Sequence, residues 1–485
     1  MATINQNDLR IKNAKNFTES LNSSTGDALS YVFMGRVEPW PDDNAPPVPQ
    51  NNSKSFNETY DNMFAARRIL DSDVFFMIPR INWVTGTVYD YYRQDYSDVN
   101  RSFSGASNLY DCRFIVRNSL NNVYVCLDNN SNIPSTVEPL NTGNQAFTTT
   151  DGYQWQRVFN YNSGVFNAHS TDNFMPIQFN DVVVSTDGEL STVIIEDPGT
   201  AYSVNPIGAP NAIPFYFCGI DGDGTGAVAR VTVSGDSITK VEVVRSGSGY
   251  TFATLNFTAN NCFESLADYD LNRNPLNPLG NGDLRTTVII PPSGGWGTDL
   301  QRELGGTRVG VFSSLDFNLF SYFTGSFRQV GILQDMTVQG TNPSTVNACY
   351  AVQTEGILEG TSFLSGEVIE QVVQDAAGND RIAKGIVISY DTASGVIRYS
   401  QNSTSVDLDG NQYRFGGTNA IKGKTSGLSA TPTTLSGTLT DIDFVGGYSS
   451  PEITYYSGYL TYLSNTVPVI RDPLQTERIS LLIAF

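Results

Sequence analysis

The sequence predicts a mainly β, multi-domain protein built from β-sandwich or barrel modules, with two short helices near the N-terminus. Charged residues make up only 16% of the 485-residue chain, against roughly 25% in typical soluble domains. Asn, Ser, Thr, Gln and Gly therefore supply the polar surface, a balance typical of turn-rich β structure. Short β-branched runs with turn signals about every 10 residues indicate sandwiches or small barrels.

Two N-terminal stretches have the spacing of helices. Apolar residues recur at helical intervals in Leu9–Leu21. The second stretch, Asn57–Leu70, has Glu58 in its first turn, where a negative charge favours the helix dipole. Five prolines fall in Pro39–Gln50 between them, which predicts an extended surface segment rather than a regular element.

From about Phe75 onward the composition favours strands. Runs rich in β-branched residues alternate with Gly, Asp, Asn and Ser, the residues of turns. The predicted strands are Phe114–Val116, Val123–Leu127, Val182–Val184, Val193–Ile195, Val228–Val233, Val241–Val244, Thr287–Ile290, Val368–Val373, Ile386–Tyr390, Val396–Tyr399 and Ile479–Phe485.

One internal repeat is visible. Ser191–Tyr202 matches Thr239–Tyr250 at an offset of 48 residues, and each copy is a strand, a glycine turn and a tyrosine that can cap the sheet. Two copies are too few for a solenoid, so we expect one compact module.

We predict four segments. Residues 1–180 and 430–485 form a co-folded host domain, and residues 181–262 form an inserted β module with the duplicated strand–turn unit. Residues 263–355 continue the host domain as a β region. Residues 356–429 form a second inserted β module.

The charge balance disfavours nucleic acid as a partner. The chain carries 29 basic and 49 acidic residues, a formal charge of −20, whereas phosphate binding needs clustered Lys and Arg. No apolar run approaches the roughly 18 residues of a membrane span. The polar first ten residues lack the apolar core of a secretory signal. We therefore expect a soluble protein made in a cytoplasm.

The five cysteines argue against a metal or disulfide framework. They are scattered, odd in number and never spaced as CxxC. Cys112 and Cys126 flank a predicted hairpin and can approach one another, although buried thiols in facing strands are the simpler interpretation.

The residues of known catalytic and metal motifs are missing or wrongly spaced. His169 is the single histidine, and no G-x-S-x-G elbow accompanies it. The stretch Asp221–Gly226 begins like a calcium loop but has Thr232 where the twelfth-position glutamate belongs. We therefore expect a glycine-rich hairpin loop, with a weak calcium site of another geometry as the alternative. We predict no catalytic residue, no cofactor and no metal site. Paired carboxylates roughly 5–9.5 Å apart in a groove, as in a polysaccharide-degrading enzyme, stay open as an alternative.

Five stretches in order along the chain resemble one protein family. They are Phe33–Trp40 (FMGRVEPW), Met77–Trp83 (MIPRINW), Val123–Asp128 (VYVCLD), Asp151–Phe159 (DGYQWQRVF) and the closing Tyr462–Phe485. Together they resemble the baseplate wedge subunit of T-even-type contractile-tailed phages, the gene-eight product family. The resemblance covers about residues 9–177 and 459–485, well under half of the chain.

The resemblance implies a non-enzymatic structural subunit of the virion tail baseplate, assembled in the host cytoplasm. Its implied partners are a second copy, in a homodimer, and other baseplate wedge subunits and tail proteins. The matched motifs also suggest local contacts, such as an Arg36–Glu38 ion pair beside Trp40. The interface candidates are Arg36, Glu38, Trp40, Pro79, Arg80, Trp83, Tyr153, Trp155, Arg471, Gln475, Glu477 and Phe485.

A second hypothesis is a glycan- or receptor-binding tail accessory protein that uses the inserted modules as binding domains. It predicts an exposed aromatic cluster on one module. For the structural hypothesis, a charge of −20 makes copies repel at long range, so association should depend on matched patches and on salt.

Overall fold

The computed structural model describes residues 6–21, 29–179, 181–204, 212–278, 280, 283–315, 325–339, 344–355, 362–440, 442–471 and 477–485. Strands make up 41% and helices 11% of the structure, which confirms a mainly β protein. Within these ranges, no helix combines the length and apolar character of a membrane span.

The helices of the described residues are short. They are α1 Gln6–Leu21, α2 Ser53–Asn62, α3 Ser163–His169, α4 Leu266–Leu271 and α5 Leu300–Glu303.

The strands, in chain order, are β1 Ser30–Gly35, β2 Met63–Arg68, β3 Val74–Pro79, β4 Ile115–Arg117, β5 Asn122–Asp128, β6 Phe147–Thr148, β7 Gln154–Asn160, β8 Phe174–Pro176, β9 Thr192–Asp197, β10 Phe215–Gly222, β11 Thr225–Ser234, β12 Ser237–Ser248, β13 Ala253–Leu255, β14 Cys262–Phe263, β15 Arg285–Ile289, β16 Arg308–Leu315, β17 Gly325–Gln334, β18 Thr345–Asn347, β19 Tyr350–Glu355, β20 Val368–Gln374, β21 Asp380–Asp391, β22 Val396–Ser400, β23 Ile421–Gly423, β24 Ser429–Pro432, β25 Gly437–Leu439, β26 Ile442–Phe444, β27 Tyr448–Ser449, β28 Tyr459–Arg471 and β29 Glu477–Ala484.

The second predicted helix is wrong in its C-terminal half. Asn52 caps α2 by accepting a hydrogen bond from the Ser55 amide, and the helix ends at Asn62. The chain then turns extended at Met63, where β2 begins with four buried residues in succession. A strand buried on both faces has a continuous apolar run, which spacing alone cannot distinguish from a helix.

One predicted strand is absent. Residues 182–184 belong to no ladder, although the Val183 amide donates to the Val158 carbonyl at 2.8 Å. The segment is held by single backbone hydrogen bonds of this kind, and its β-branched residues are therefore accommodated without a paired strand.

The chain divides into two compact units. Unit 1 contains Met1–Ala14, Phe75–Gly310 and Ile483–Phe485, and unit 2 contains Lys15–Val74 and Val311–Leu482. The four-segment division predicted from the sequence stays a prediction.

In unit 1, the antiparallel sheet β4-β5-β7-β6 is buried on both faces. Alternate residues of β5 point into two separate cores: Val123 and Val125 pack in one, and Tyr124 and Cys126 in the other. This follows from the two-residue period of a strand.

The first two cysteines lie on opposite faces of this sheet. Cys112 belongs to the same core as Val123, whereas Cys126 belongs to the core with Tyr124. The suggested approach of Cys112 to Cys126 is therefore wrong, because the sheet lies between the two thiols. The thiols in contact are those of Cys218 and Cys262, 3.3 Å apart.

The duplicated strand–turn unit lies in the second part of unit 1. The antiparallel sheet β12-β11-β10-β13 carries β14 on β10, and β9 pairs with β15. In both copies a glycine with positive φ, Gly199 at 63° and Gly247 at 64°, precedes the tyrosine by three residues.

Both tyrosines pack against glycine. A Cβ on Gly199 would lie 2.7 Å from the Tyr202 ring, and one on Gly247 would lie 2.8 Å from the Tyr250 ring. The Tyr250 hydroxyl accepts from the Ala227 amide at 3.2 Å and donates to the Ile220 carbonyl at 3.1 Å. The repeat therefore encodes a tyrosine seated on glycine at the end of the sheet.

In unit 2, strands from both ends of the chain share one antiparallel sheet of order β18-β2-β1-β17-β28. Strand β17 pairs with β1 on one side and with β28 on the other. One core of buried residues, including Tyr31, Phe33 and Leu333, packs against this sheet.

Another sheet of unit 2 closes into a barrel. Strands β22-β21-β20-β23-β24-β19 pair in this order, and β19 pairs back with β22. The barrel interior holds one apolar cluster that includes Ile369, Val387 and Ile421. The predicted small-barrel architecture is confirmed.

We expect Gly247→Ala to destabilise the module that contains the repeat. The left-handed conformation costs an alanine about 1 kcal/mol, and the new Cβ would lie 2.5 Å from the Thr225 carbonyl oxygen. Overpacking of this kind adds roughly 1–3 kcal/mol. Urea unfolding of the purified chain measures the loss.

The matched control is Gly235→Ala. Gly235 has nearly the same φ, 67°, but no atom lies within 4 Å of the added Cβ. Equal losses for the two variants would show that the close approach to glycine in the repeat has no energetic weight.

Candidate interface residues

The first motif forms a stacked arrangement after β1 in unit 2. The Arg36 guanidinium lies 3.9 Å from the centre of the Trp40 ring. Burial lowers the pKa of Arg36, and the nearby Glu38 carboxylate only partly offsets this effect. The Glu38 carboxylate accepts a hydrogen bond from Asn402 Nδ2 at 2.5 Å.

The suggested Arg36–Glu38 ion pair is not among the ion pairs of the described residues. The guanidinium stacks on the indole, and the carboxylate bonds to the amide of Asn402. The interaction between the two charges acts over a longer distance.

A buried arginine on β17 holds the proline-rich segment. Arg328, with a side chain only 7% exposed, makes a two-pronged ion pair with Asp43 through Nε at 2.8 Å and Nη2 at 2.7 Å. Its Nη1 donates to the Val37 carbonyl at 2.7 Å. Arg328 lowers the pKa of Asp43 to about 2.

The same segment is attached to β28. The Trp40 indole Nε1 donates to the Thr466 carbonyl at 3.0 Å, and Asn465 Nδ2 donates to the Pro47 carbonyl at 2.8 Å. The segment is irregular, as predicted. Side chains therefore fix its course, because it has no ladder of its own.

The second motif makes internal contacts in unit 1. Pro79 ends β3 opposite Phe174, and Arg80 Nη1 donates to the Thr171 carbonyl at 2.8 Å. Trp83 Nε1 donates to Ser135 Oγ at 3.1 Å, and the Trp83 amide bonds to the Arg117 carbonyl. These residues orient the chain where it leaves the strand.

Tyr153 and Trp155 lie on the same face of a strand, as the two-residue period predicts. Their rings stack at 5.4 Å and 17°, and both residues are fully buried. Burial raises the pKa of Tyr153. Within unit 1 these rings pack the core, and an interface role stays a prediction.

The C-terminal candidates are spread over three settings. Arg471 ends β28 and is 1% exposed. Gln475 lies outside the described residues, and so does the Glu477 side chain, although Glu477 begins β29. The Phe485 amide donates to the Thr307 carbonyl at 3.2 Å.

The sequence analysis missed an exposed apolar stretch in β28. Val467 is 52%, Val469 38% and Ile470 76% exposed. Beyond its pairing with β17, β28 has no second partner strand among the described residues. Residues 459–470 contain no charged side chain. We call Val467–Ile470 the apolar edge. The sequence feature that could have indicated it is the apolar run within the fifth motif.

A tyrosine-lined cleft of about 430 Å³ lies in unit 2. Tyr350 and Tyr399 stack in its floor at 5.6 Å, and the Arg414 guanidinium lies 4.4 Å from the Tyr350 ring. Tyr456 is 50% exposed and donates to Asp61 Oδ1 at 2.6 Å. Rings and an arginine side by side can stack on a planar or sugar-like group.

A larger cleft of about 610 Å³ in unit 1 is lined by carboxylates. Glu303 accepts from the Gly297 and Asp299 amides at 2.7 Å each, and burial raises its pKa. Asp299 accepts from the Arg302 amide, and Asp8 pairs with the Arg302 guanidinium at 3.5 Å. These carboxylates hold α5 and its surroundings together.

The predicted hairpin loop over Asp221–Gly226 is wrong at both ends: β10 continues to Gly222, where it pairs with β13, and β11 begins at Thr225. Only Asp223 and Gly224 lie between the two strands. The β10–β11 ladder ends at Gly219 opposite Val228. The Asp223 carboxylate accepts hydrogen bonds from the Thr251 hydroxyl and from the Thr251 and Phe252 amides, and these bonds lower its pKa to about 2. Among the described residues, no three His, Cys, Asp or Glu side chains are grouped as metal ligands.

Residues 2–138 match the family model of bacteriophage T4 Gp8. The match includes the first three of the five motifs, from Phe33–Trp40 to Val123–Asp128, and confirms the resemblance to the gene-eight family over this range. The family consists of structural baseplate wedge subunits. No curated protein matches the chain.

We expect Asp43→Asn to destabilise the protein at neutral pH, because Arg328 would keep a buried charge without its partner. The pKa of Asp43 is lowered from 3.8 to about 2, so the carboxylate stabilises the fold above about pH 4. This contribution disappears as the pH falls towards 2. Urea midpoints at pH 7, 4 and 2.5 measure it.

The difference between wild type and Asp43→Asn should therefore shrink with acid. Asp409→Asn, which removes an exposed carboxylate from unit 2, is the control and should change little at any pH. A constant difference across the three pH values would contradict the role of the ionised carboxylate.

Proposed function

We propose that this chain is a non-enzymatic structural subunit of a phage tail baseplate wedge and acts through homodimer and hetero-subunit interfaces. The family match over residues 2–138 carries the proposal. Its partners would be a second copy, other wedge subunits and tail proteins. Its location would be the virion tail baseplate after assembly in the host cytoplasm.

The proposed mechanism is mechanical. Obligate assemblies commonly bury more than about 2,000 Å² per contact, and such contacts lock or release as rigid bodies. A subunit of this kind would transmit the baseplate rearrangement through its interfaces. The anchored proline-rich segment fits this role, since the Arg328–Asp43 pair fixes an otherwise irregular surface.

The apolar edge is the best candidate for the homodimer contact. Two copies with a formal charge of −20 each repel one another, and an uncharged stretch is where they can approach at the lowest electrostatic cost. Pro468 has no amide hydrogen to donate, which disfavours a continuous strand ladder. We therefore propose side-chain packing between Val467, Val469 and Ile470 of the two copies.

We expect Ile470→Glu to weaken the dimer at least about tenfold, because a charge would enter an apolar contact. Light scattering over a concentration series measures the dissociation constant. Higher salt should strengthen the wild-type dimer by screening repulsion between the copies.

Ile382→Glu is the matched control, because Ile382 is also exposed, at 44%, but lies on β21 of the barrel. A monomeric wild type at every concentration would refute the homodimer. An intact Ile470→Glu dimer would leave the homodimer standing and exclude the apolar edge. Association unchanged between low and high salt would also count against the electrostatic argument.

Glycan or receptor binding is a second candidate function, and the tyrosine-lined cleft favours it. Its aromatic walls and Arg414 give the stacking and charged groups that a sugar-binding site uses. Against this function, the Tyr448 and Tyr455 hydroxyls already donate to the Gly417 and Ala348 carbonyls.

A glycan array separates the two functions. The structural subunit should show no retention on any glycan. A binding protein should be retained, and Tyr456→Ala should reduce retention at least about tenfold through lost stacking. Tyr459→Ala, at an exposed tyrosine on β28 outside the cleft, should leave retention unchanged.

A further inference from the structure

Two of the five cysteines face each other inside the module that contains the repeat. Cys218 on β10 and Cys262 on β14 are register partners in an antiparallel pair. Their sulfur atoms are 3.3 Å apart, and both residues are fully buried. They belong to one apolar cluster with Tyr216 and Ala229.

The other three cysteines have different neighbours. The Cys112 thiol contacts the Asn108 carbonyl, and the Cys126 thiol contacts the Asp128 carbonyl. The Cys349 thiol contacts Asn347 Oδ1. Only Cys218 and Cys262, of all five cysteines, are in sulfur–sulfur contact in the described residues.

We propose that Cys218 and Cys262 are an oxidative modification site, reduced in the cytoplasm and joined as a disulfide once the particle is released. Facing residues of an antiparallel pair have Cα atoms about 4.5–5.5 Å apart, and disulfides span about 4.4–6.8 Å. The backbone therefore needs little movement. The time of oxidation, but not the pairing, rests on the proposed virion function.

The chemistry balances with a peroxide as oxidant. One thiolate attacks a peroxide oxygen, the O–O bond breaks, and a sulfenic acid and hydroxide form. The second thiolate then attacks the sulfenic sulfur, the S–O bond breaks, and a second hydroxide leaves. The two protons that the thiols lost on ionisation convert the two hydroxides to water. Two thiols thus lose two electrons, and the peroxide is reduced to two water molecules.

The environment makes this oxidation slow in the folded module. Burial raises the pKa of Cys218, so little thiolate is present at neutral pH. The reaction then depends on brief opening of the β10–β14 pair, which consists of only two register positions. A slow reaction suits a bond that forms outside the cell over the lifetime of a particle.

The disulfide would close a large loop. The two cysteines are 44 residues apart, and the chain between them contains β11, β12 and β13. Cross-linking restricts the unfolded chain more for longer loops. The expected result is a rise in the thermal midpoint of about 5–10 °C.

The test uses the purified full-length chain, with and without hydrogen peroxide. Intact mass should fall by two hydrogens, and digestion without reductant should yield one peptide pair linking Cys218 to Cys262. The thermal midpoint should rise, and a reductant should reverse both changes. Free Cys218 and Cys262 thiols after oxidation, or a link from either of them to another cysteine, would overturn the pairing.

Variants keep the result specific. Cys262→Ala should abolish both the mass change and the rise, whereas Cys349→Ala should retain them. If Cys262→Ala fails to fold, reduced and oxidised wild type still give the comparison. Alkylation under denaturing conditions, applied to particles stored for increasing times after release, tests the timing: Cys218 and Cys262 that stay alkylatable in the oldest particles would refute oxidation outside the cell, even if the isolated chain forms the bond.

Discussion

The Arg328–Asp43 ion pair is the interaction on which the N-terminal part of unit 2 depends. A buried guanidinium is costly unless it is paired and hydrogen-bonded, and Arg328 obtains its partners from Asp43 and the Val37 carbonyl. Because Arg328 lies on the strand between β1 and β28, loss of these partners would leave an unpaired charge buried at this sheet. The need of Arg328 for these partners therefore holds the proline-rich segment against the sheet.

A similar dependence on distant residues organises the repeat in unit 1. Tyr250 can occupy its site only because Gly247 and Gly224 have no side chains where its ring lies. Its hydroxyl then satisfies backbone groups of two different strands. The Tyr250 ring, seated between these glycines, is one member of the apolar cluster of this module.

Much of the fold could be predicted because its signals are local. The β-branched runs at Val368–Val373 and Val396–Tyr399 coincide with β20 and β22, and the spacing of Leu9–Leu21 with α1. Strand β2 could not be predicted, since its burial on both faces depends on neighbours from elsewhere in the chain. The contacts Arg328–Asp43 and Cys218–Cys262 could not be predicted for the same reason. Their residues are 285 and 44 positions apart in the chain and meet only through the topology of the fold. The interface motifs were found by resemblance, and the apolar edge emerged from exposure.

The closure of the barrel in unit 2 has a consequence for a crowded environment. A ring of six strands, with β19 paired back to β22, has a neighbouring strand on both sides of each of its members and so has no edge strand. Such a domain resists polymerisation with its own copies even at very high local concentration. The sequences of its loops can therefore vary without creating an edge strand, and self-association is left to other parts of the molecule.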